Sequence, residues 1–268
     1  MSKLLSIQCF LLDMDGTFYL GNQLLPGAIE FIEYLKQKEV QFLFLTNNSS
    51  NNRIRYAEKL RKLGAKVSDS DILTSGEATA IYLLSQKPNP KIYLVGTPAL
   101  EEEFQSRGFL LDKENPDYAV LGFDTTLTYQ KIWHFCDLVR QGVPYIATHP
   151  DINCPTKNGF MPDTGSMIEM IASSTGKRPD IIIGKPNHYI VDAVATRTHL
   201  SISSIAMVGD RLYTDIALGQ SGVTTILVLS GETRLEDLKD SPFQPDFVMR
   251  DLADLLSVLQ KAYEQKNG

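Results

Sequence analysis

Short apolar runs alternate along the chain with segments of helical periodicity. Buried strands are predicted at the apolar runs 7–12, 42–46, 92–95, 118–121, 145–147, 181–183, 205–208 and 225–229. Helices are predicted over 27–38, 53–63, 98–107, 128–141 and 165–175. Trp133, the only tryptophan, falls in a predicted helix and is expected in the core. Nearly continuous apolar strands separated by helices are typical of a parallel sheet covered on both faces, so the predicted fold class is α/β.

Two carboxylates follow the first predicted strand. Asp13 and Asp15 are two positions apart, and residues i and i+2 of an extended segment point the same way, so both can face one point beyond the strand end. Ligands of open α/β sheets bind at this edge, and Gly16 permits a sharp turn and a close approach. Close carboxylates repel unless one is protonated or a cation such as Mg²⁺ lies between them. An ordinary Asp-rich turn is the alternative.

Polar residues follow three other predicted strands. Thr46 and Asn47 offer a hydroxyl and an amide to phosphate oxygens, with helix capping as the alternative. Lys185 follows a buried run, although most lysines simply lie on the surface. Asp210 follows another strand, and Asp215 comes five positions later, again with helix capping as the alternative. Because all these signals lie just after predicted parallel strands, one site at the sheet edge is the economical explanation.

Composition narrows the class of protein. The chain has 268 residues and a mass of 29.9 kDa, which allows two domains. Its net charge of −6 and pI of about 5.3 argue against nucleic acid or an anionic membrane as the main partner. No apolar run reaches the roughly 18 residues of a membrane span, and no signal-peptide pattern is recognised, so a cytoplasmic location is expected. The three cysteines are widely spaced, which makes a disulfide framework or a zinc site unlikely.

The polar motifs resemble those of the haloacid dehalogenase superfamily. The similarity lies in DMDGT at 13–17, Thr46 after an apolar run, Lys185, and the GDxxxxD spacing of Asp210 and Asp215. The segments DMDGTFYLGNQLLPGA, TNNSS, GKP and GDRLYTD look like the NagD-like branch of sugar and p-nitrophenyl phosphate phosphatases.

The resemblance implies a two-domain architecture. We expect a Rossmann-like doubly wound parallel sheet core at 1–78 and 181–268, with an α/β cap domain inserted at 79–180. The long gap between the second and third motifs leaves room for that cap.

The resemblance also implies a Mg²⁺-dependent phosphohydrolase. Asp13 would attack phosphorus and form an aspartyl-phosphate, and Asp15 would protonate the leaving alcohol and later take a proton from water. The expected metal ligands are Asp13, the backbone carbonyl of Asp15, and Asp210, with Asp215 orienting metal-bound water. The expected phosphate ligands are Thr46, the Asn47 amide and Lys185.

The expected substrate is a small phosphorylated metabolite, such as a sugar phosphate. The cap segment around 148–153 resembles one that faces the site in relatives. Candidate substrate-reading residues are His149, Asp151, Asn153 and Asp163, with local turn chemistry as an equal or stronger alternative. A phosphomutase and a non-catalytic phospho-ligand sensor are the alternative functions, and a dehalogenase fits poorly because it has no leaving alcohol for Asp15 to protonate. A homo-oligomer is left open.

Overall fold

The computed structural model describes residues 2–156 and 159–267. Its helices are α1 Ser2–Leu5, α2 Ala28–Gln37, α3 Arg53–Lys62, α4 Ser75–Gln86, α5 Pro98–Ser106, α6 Tyr129–Gln141, α7 Thr164–Thr175, α8 His188–Thr198 and α9 Leu252–Asn267. Its strands are β1 Cys9–Leu12, β2 Tyr19–Leu20, β3 Gln23–Leu24, β4 Gln41–Thr46, β5 Ile72–Thr74, β6 Lys91–Val95, β7 Leu110–Leu111, β8 Tyr118–Leu121, β9 Tyr145–Ala147, β10 Asn153–Thr156, β11 Gly159–Pro162, β12 Ile181–Ile182, β13 Ile205–Gly209, β14 Thr224–Val228 and β15 Phe247–Met249.

The first sheet has six strands in the order β15-β14-β13-β1-β4-β5. Each pairing from β15 through to β4 is parallel. The chain starts in the middle of this sheet at β1, adds β4 and β5 on one side, and later adds β13, β14 and β15 on the other. The strand order therefore reverses between β1 and β13, which is the topology of a doubly wound fold.

The second sheet has five strands in the order β12-β9-β8-β6-β7, and all of its pairings are parallel. Helices α6 and α7 pack over it around a core that includes Phe135, Tyr145 and Ile171. A separate antiparallel hairpin, β10–β11, lies between β9 and α7 in the sequence. The strand expected at 181–183 is β12, and it belongs to this second sheet.

The chain divides into two compact units. The first contains residues 1–45, 57–72 and 194–268, and the second contains 46–56 and 73–193. The predicted α/β class with parallel sheets and flanking helices is confirmed. The proposed limits of a core and a cap domain remain a prediction.

Trp133 corrects one expectation. It lies on α6 but is 55% exposed, because that helix buries its opposite face through Ile132, Phe135, Cys136, Leu138 and Val139. In the described ranges the cysteines form no disulfide, and Cys9 and Cys136 are buried. Of the helices that the structure describes, none is long and apolar enough to span a membrane.

Candidate active site

Asp13 and Asp210 lie where the strand order of the first sheet reverses. Leu12 of β1 is paired with Val208 of β13, and the Asp13 N–H donates to the Val208 carbonyl at 2.9 Å. Asp210 directly follows Gly209, the last residue of β13. Ligands of doubly wound sheets bind in the crevice outside the carboxyl ends of the strands at such a reversal. The two aspartates therefore occupy the place where a ligand is expected.

Three aspartates form a compact acidic cluster at this point. One oxygen from each of Asp13, Asp210 and Asp215 lies within 4.8 Å of the others. Asp210 Oδ2 accepts the N–H of Glu232 at 2.7 Å, whereas Asp210 Oδ1 is buried and has no hydrogen-bond partner among the described residues. A buried carboxylate oxygen without a partner is costly unless something else binds it.

The electrostatics of the cluster favour a cation. Burial raises the pKa of Asp210 well above its usual range, and the neighbouring charges of Asp13 and Asp215 add to this rise. A divalent ion would offset both effects, because it replaces lost hydration and screens the like charges. Clustered carboxylate oxygens are the ligands that hard cations such as Mg²⁺ prefer. The residues present therefore fit a magnesium ion.

The turn after β1 brings its backbone close to Asp210. Gly16 has a φ of 90°, in the left-handed region, and its N–H donates to the Tyr19 carbonyl at 2.8 Å. A Cβ at this position would overlap the Asp210 carboxylate. Glycine is required here both by the backbone conformation and by the close approach.

Asp15 lies on the same turn and is exposed, unlike Asp210. Partial desolvation by the surrounding groups raises the pKa of its carboxyl, the positive charge of Lys59 opposes this rise, and the negative charge of Asp13 adds to it. The Lys59 ammonium lies 3.8 Å from the centre of the Tyr19 ring. An accessible carboxyl with a raised pKa is suited to carrying a proton.

Asp215 is held by a turn of π-helix over Leu212–Ile216. The Ile216 N–H donates to the Arg211 carbonyl five positions back at 3.1 Å, and Asp215 Oδ2 accepts the Arg211 N–H at 3.1 Å. A Cβ at Gly209 would overlap the Asp215 carboxylate, so β13 and this turn are in close contact. Turns of this kind are frequent at functional sites.

Arg211 is a charged neighbour of the cluster that the sequence motifs did not single out. Its Nε lies 3.1 Å from Glu232 Oε2. Burial alone would lower the pKa of Arg211, but Asp13, Asp210 and Glu232 together raise it above its ordinary value. The available signal was its position directly after Asp210, where a fixed cation offsets part of the repulsion among carboxylates.

The expected phosphate ligands belong to the second compact unit. Asn47 and Lys185 are tied together reciprocally: the Lys185 N–H donates to Asn47 Oδ1 at 2.8 Å, and Asn47 Nδ2 donates to the Lys185 carbonyl at 2.9 Å. Asn47 Nδ2 also donates to Asp151 Oδ1 at 2.9 Å. Lys185 is only 3% exposed. Thr46 ends β4, and its Oγ1 accepts the Asn48 N–H.

The four candidate substrate-reading residues differ in exposure. His149 is completely buried, and its Nε2 lies 2.8 Å from Oδ1 of Asp163, which is itself 3% exposed and caps α7. Asp151 binds Asn47. Asn153 begins β10 and is exposed. The structure thus brings His149, Asp151 and Asp163 together, with polar atoms within 4.8 Å of one another.

Comparisons with known proteins agree with the motifs. A family model described as haloacid dehalogenase-like hydrolase matches residues 10–110, and one described as HAD-hydrolase-like matches 182–255. The acid sugar phosphatase of Staphylococcus haemolyticus is 36% identical over 254 residues, which are 94% of this chain and 96% of that protein.

Two solved structures extend the similarity to the fold. The 4-nitrophenylphosphatase of Thermotoga maritima is 50% identical with a TM-score of 0.92, and the match covers 95% of this chain and 98% of that one. NagD from the E. coli K-12 strain is 32% identical with a TM-score of 0.86, covering 92% of this chain and 98% of that one.

Proposed function

The chain belongs to the haloacid dehalogenase-like hydrolases, in their NagD-like branch, and is a phosphatase; on this premise we propose that it is a Mg²⁺-dependent phosphohydrolase of small phosphomonoesters that works through an aspartyl-phosphate. The observation that carries the proposal is the acidic cluster at the reversal point of the first sheet, in which one buried Asp210 oxygen has no hydrogen-bond partner among the described residues.

The first half-reaction transfers the phosphoryl group to the protein. A carboxylate oxygen of Asp13 attacks phosphorus, and the bond from phosphorus to the leaving-group oxygen breaks. Asp15 gives its proton to that oxygen, so the product leaves as an alcohol. The exposed position and raised pKa of Asp15 support this assignment.

The second half-reaction releases phosphate. A water molecule attacks the phosphorus of the aspartyl-phosphate, and Asp15, now ionised, takes a proton from that water. The bond from phosphorus to the Asp13 oxygen breaks, which restores the Asp13 carboxylate and leaves inorganic phosphate. Asp15 ends the cycle protonated, ready for the next substrate.

The metal site is assigned to residues of the first unit. Asp13, the backbone carbonyl of Asp15 and Asp210 would hold Mg²⁺, and Asp215 would orient water bound to the ion. When bound, the ion supplies positive charge that neutralises phosphate oxygens during transfer. Arg211 adds a fixed positive charge beside the same carboxylates.

The remaining phosphate oxygens are assigned to Thr46, Asn47 and Lys185. The side-chain amide of Asn47 already donates to Lys185 and Asp151, so we assign phosphate binding to the main-chain N–H of Asn47. The Lys185 ammonium balances the phosphate charge, which is the main requirement of phosphoryl transfer. The burial of Lys185 supports this assignment, because lysine side chains are seldom buried unless a group of opposite charge pairs with them.

The substrate class is a small phosphorylated metabolite, with sugar phosphates as the first candidates. This choice is supported by the name of the 36% identical relative, an acid sugar phosphatase, and by the 50% identical 4-nitrophenylphosphatase. Good leaving groups such as p-nitrophenolate report the chemical step without naming the natural substrate.

Phosphate release from a panel of sugar phosphates, other phosphorylated metabolites and p-nitrophenyl phosphate tests the proposal. We expect turnover with Mg²⁺, its loss on chelation, and its return when Mg²⁺ is restored. Full turnover after exhaustive chelation would contradict the metal role. Label that moves between two positions of one sugar would indicate a phosphomutase, and binding without turnover would indicate a phospho-ligand sensor.

A further inference from the structure

A buried chain of hydrogen bonds runs through the second unit behind His149. The Phe123 N–H donates to Ser49 Oγ at 2.9 Å, and Ser49 Oγ lies 3.0 Å from Thr148 Oγ1. Thr148 Oγ1 lies 2.9 Å from His149 Nδ1, and His149 Nε2 lies 2.8 Å from Asp163 Oδ1. These side chains are at most 3% exposed, so the chain is shielded from water.

The hydrogen bonds of this network can all be assigned with donors pointing from Phe123 towards Thr148 and from His149 towards Asp163. In the tautomer with its proton on Nε2, His149 donates to the Asp163 carboxylate, and its Nδ1 accepts from the Thr148 hydroxyl. Thr148 then accepts the Ser49 proton, and Ser49 accepts the Phe123 N–H. Both hydroxyls and both ring nitrogens then have a hydrogen-bond partner, which makes a buried network stiff.

Two routes connect this network to Lys185. In the first, the Thr148 carbonyl accepts the Gly184 N–H at 2.8 Å, and a Cβ at Gly184 would overlap Asn47 Oδ1 and the His149 Cβ. The residue before Lys185 is therefore packed directly on the His149 segment.

The second route passes through Asn47. Asp151, two residues after His149, accepts a hydrogen bond from Asn47 Nδ2, and Asn47 binds both the N–H and the carbonyl of Lys185. The Ser75 hydroxyl, which lies 3.4 Å from His149 Nδ1, donates to the Asn47 carbonyl. The backbone on both sides of Lys185 is therefore held by the segment 148–151, and the hydrogen bonds of His149 hold that segment in place.

We infer that His149 and Asp163 are positioning residues that fix Lys185 and Asn47 for phosphate binding, and that they do not read the leaving group. The inference rests on the proposed function, because it takes Lys185 and Asn47 as phosphate ligands. A completely buried His149 has no surface for a leaving group, whereas its links lead to the lysine. Small displacements of such ligands reduce catalysis strongly.

Inorganic phosphate is the probe that separates the two roles, because it has no leaving group. Its inhibition constant would be measured for His149→Phe, which removes both ring nitrogens. We expect that constant to rise by on the order of 10-fold, and kcat/KM to fall by a common factor for p-nitrophenyl phosphate and a sugar phosphate.

Asp163 provides a graded test with a matched control. Asp163→Ala loses both the His149 contact and the α7 cap, and Asp163→Asn keeps an acceptor oxygen for both. Thr128→Ala removes the N-cap of α6, where the Thr128 hydroxyl accepts the Lys131 N–H, and among the described residues Thr128 has no hydrogen bond to the network. We expect weaker phosphate binding in Asp163→Ala, a smaller change in Asp163→Asn, and none in Thr128→Ala.

An unchanged phosphate inhibition constant in His149→Phe, or a change in kcat/KM for only one of the two substrates, would overturn the positioning role. If His149→Phe does not fold, the comparison of Asp163→Ala with Thr128→Ala decides, because each loses one helix cap. Equal phosphate affinity in those two variants also overturns it. A native protein that phosphate does not inhibit, or that hydrolyses no phosphomonoester, would instead contradict the proposed function.

Discussion

Asp13 and Asp15 are two positions apart in the sequence but have different surroundings. Asp13 is partly buried beside Asp210 and Asp215, whereas Asp15 is exposed on the turn that follows β1. In the proposed mechanism the nucleophile attacks as a carboxylate near the metal ion, and the acid–base group exchanges protons with the leaving group and with water. The surroundings match this division of roles, so substitutions of the two residues should fail in different ways.

We predict that Asp13→Asn forms no phosphorylated protein, while Asp15→Asn accumulates it. The second variant keeps the nucleophile and loses proton transfer, which is typically worth about 10²–10⁴-fold in rate. With p-nitrophenyl phosphate the leaving group needs little protonation, so the first half-reaction proceeds and hydrolysis stalls. Acid-quench labelling, followed by identification of the labelled residue, measures both outcomes.

The native protein is the control for this experiment, since it should show only a low steady-state level of label on Asp13. A labelled aspartate in Asp13→Asn would rule out Asp13 as the nucleophile. Inversion at phosphorus in the native protein would show direct transfer to water and would contradict the covalent route altogether.

Asp13, Asp15, Asp210 and Asp215 can be predicted as candidates from the sequence, because a position after a strand and an i, i+2 spacing are recognised from neighbouring residues alone. The ties between Asn47 and Lys185, and between His149 and Asp163, join residues that are far apart in sequence. Such pairs depend on the tertiary structure, and no periodicity or spacing in the sequence predicts them. Their roles in the reaction remain predictions.

At the scale of elements, the predicted strands and helices end within two residues of those in the structure. Helix α4 was not predicted, since its whole first half, from Ser75 to Ala80, is buried, so that it lacks an amphipathic pattern. Helix α8 is rich in β-branched and apolar residues, which weakens a helical signal. Helix α9 was also not predicted, although its buried residues Leu252, Leu255 and Leu259 follow a helical spacing. The two short hairpins have too few residues for periodicity to show.

The turn after β1 yields a prediction with an internal control. Gly16 and Gly21 both have positive φ, of 90° and 61°. A Cβ at Gly21 would meet no atom of the described residues within 4 Å, whereas a Cβ at Gly16 would overlap the Asp210 carboxylate. Gly21→Ala should therefore cost only backbone strain, about 1 kcal/mol of unfolding free energy, and keep its activity. Gly16→Ala should cost more and raise the Mg²⁺ concentration needed for half-maximal turnover.

Chemical denaturation and Mg²⁺ titrations of turnover measure these two effects. Equal Mg²⁺ requirements in Gly16→Ala and Gly21→Ala would show that the close approach of Gly16 to Asp210 has no part in the metal site.

At the scale of the whole molecule, the acidic cluster links function to stability. The chain carries a net charge of −6, and three of its carboxylates are concentrated at one end of two adjacent strands. Like charges this close oppose folding when no cation is bound, and one of the buried oxygens accepts no hydrogen bond from any residue that the structure describes. Functional sites commonly reduce stability in this way, and removing one of the clustered charges then stabilises the fold.

We predict that Mg²⁺ raises the melting temperature of the native protein, and that Asp210→Asn removes most of this rise. A ligand at 100 times its Kd stabilises the folded state by about 2.7 kcal/mol, which corresponds to a shift of roughly 5–10 °C for a protein of this size. Without Mg²⁺, Asp210→Asn should melt at or above the melting temperature of the native protein, since it removes one of three clustered charges while an amide oxygen still accepts the Glu232 N–H.

The control is Glu58→Gln, which makes the same change of charge at an exposed position and should leave the melting temperature unchanged both with and without Mg²⁺. Thermal unfolding followed by circular dichroism, with Mg²⁺ and with a chelator, gives all four comparisons. If Mg²⁺ shifts Asp210→Asn as much as the native protein, the ion that stabilises the fold binds elsewhere, and Asp210 is not one of its ligands.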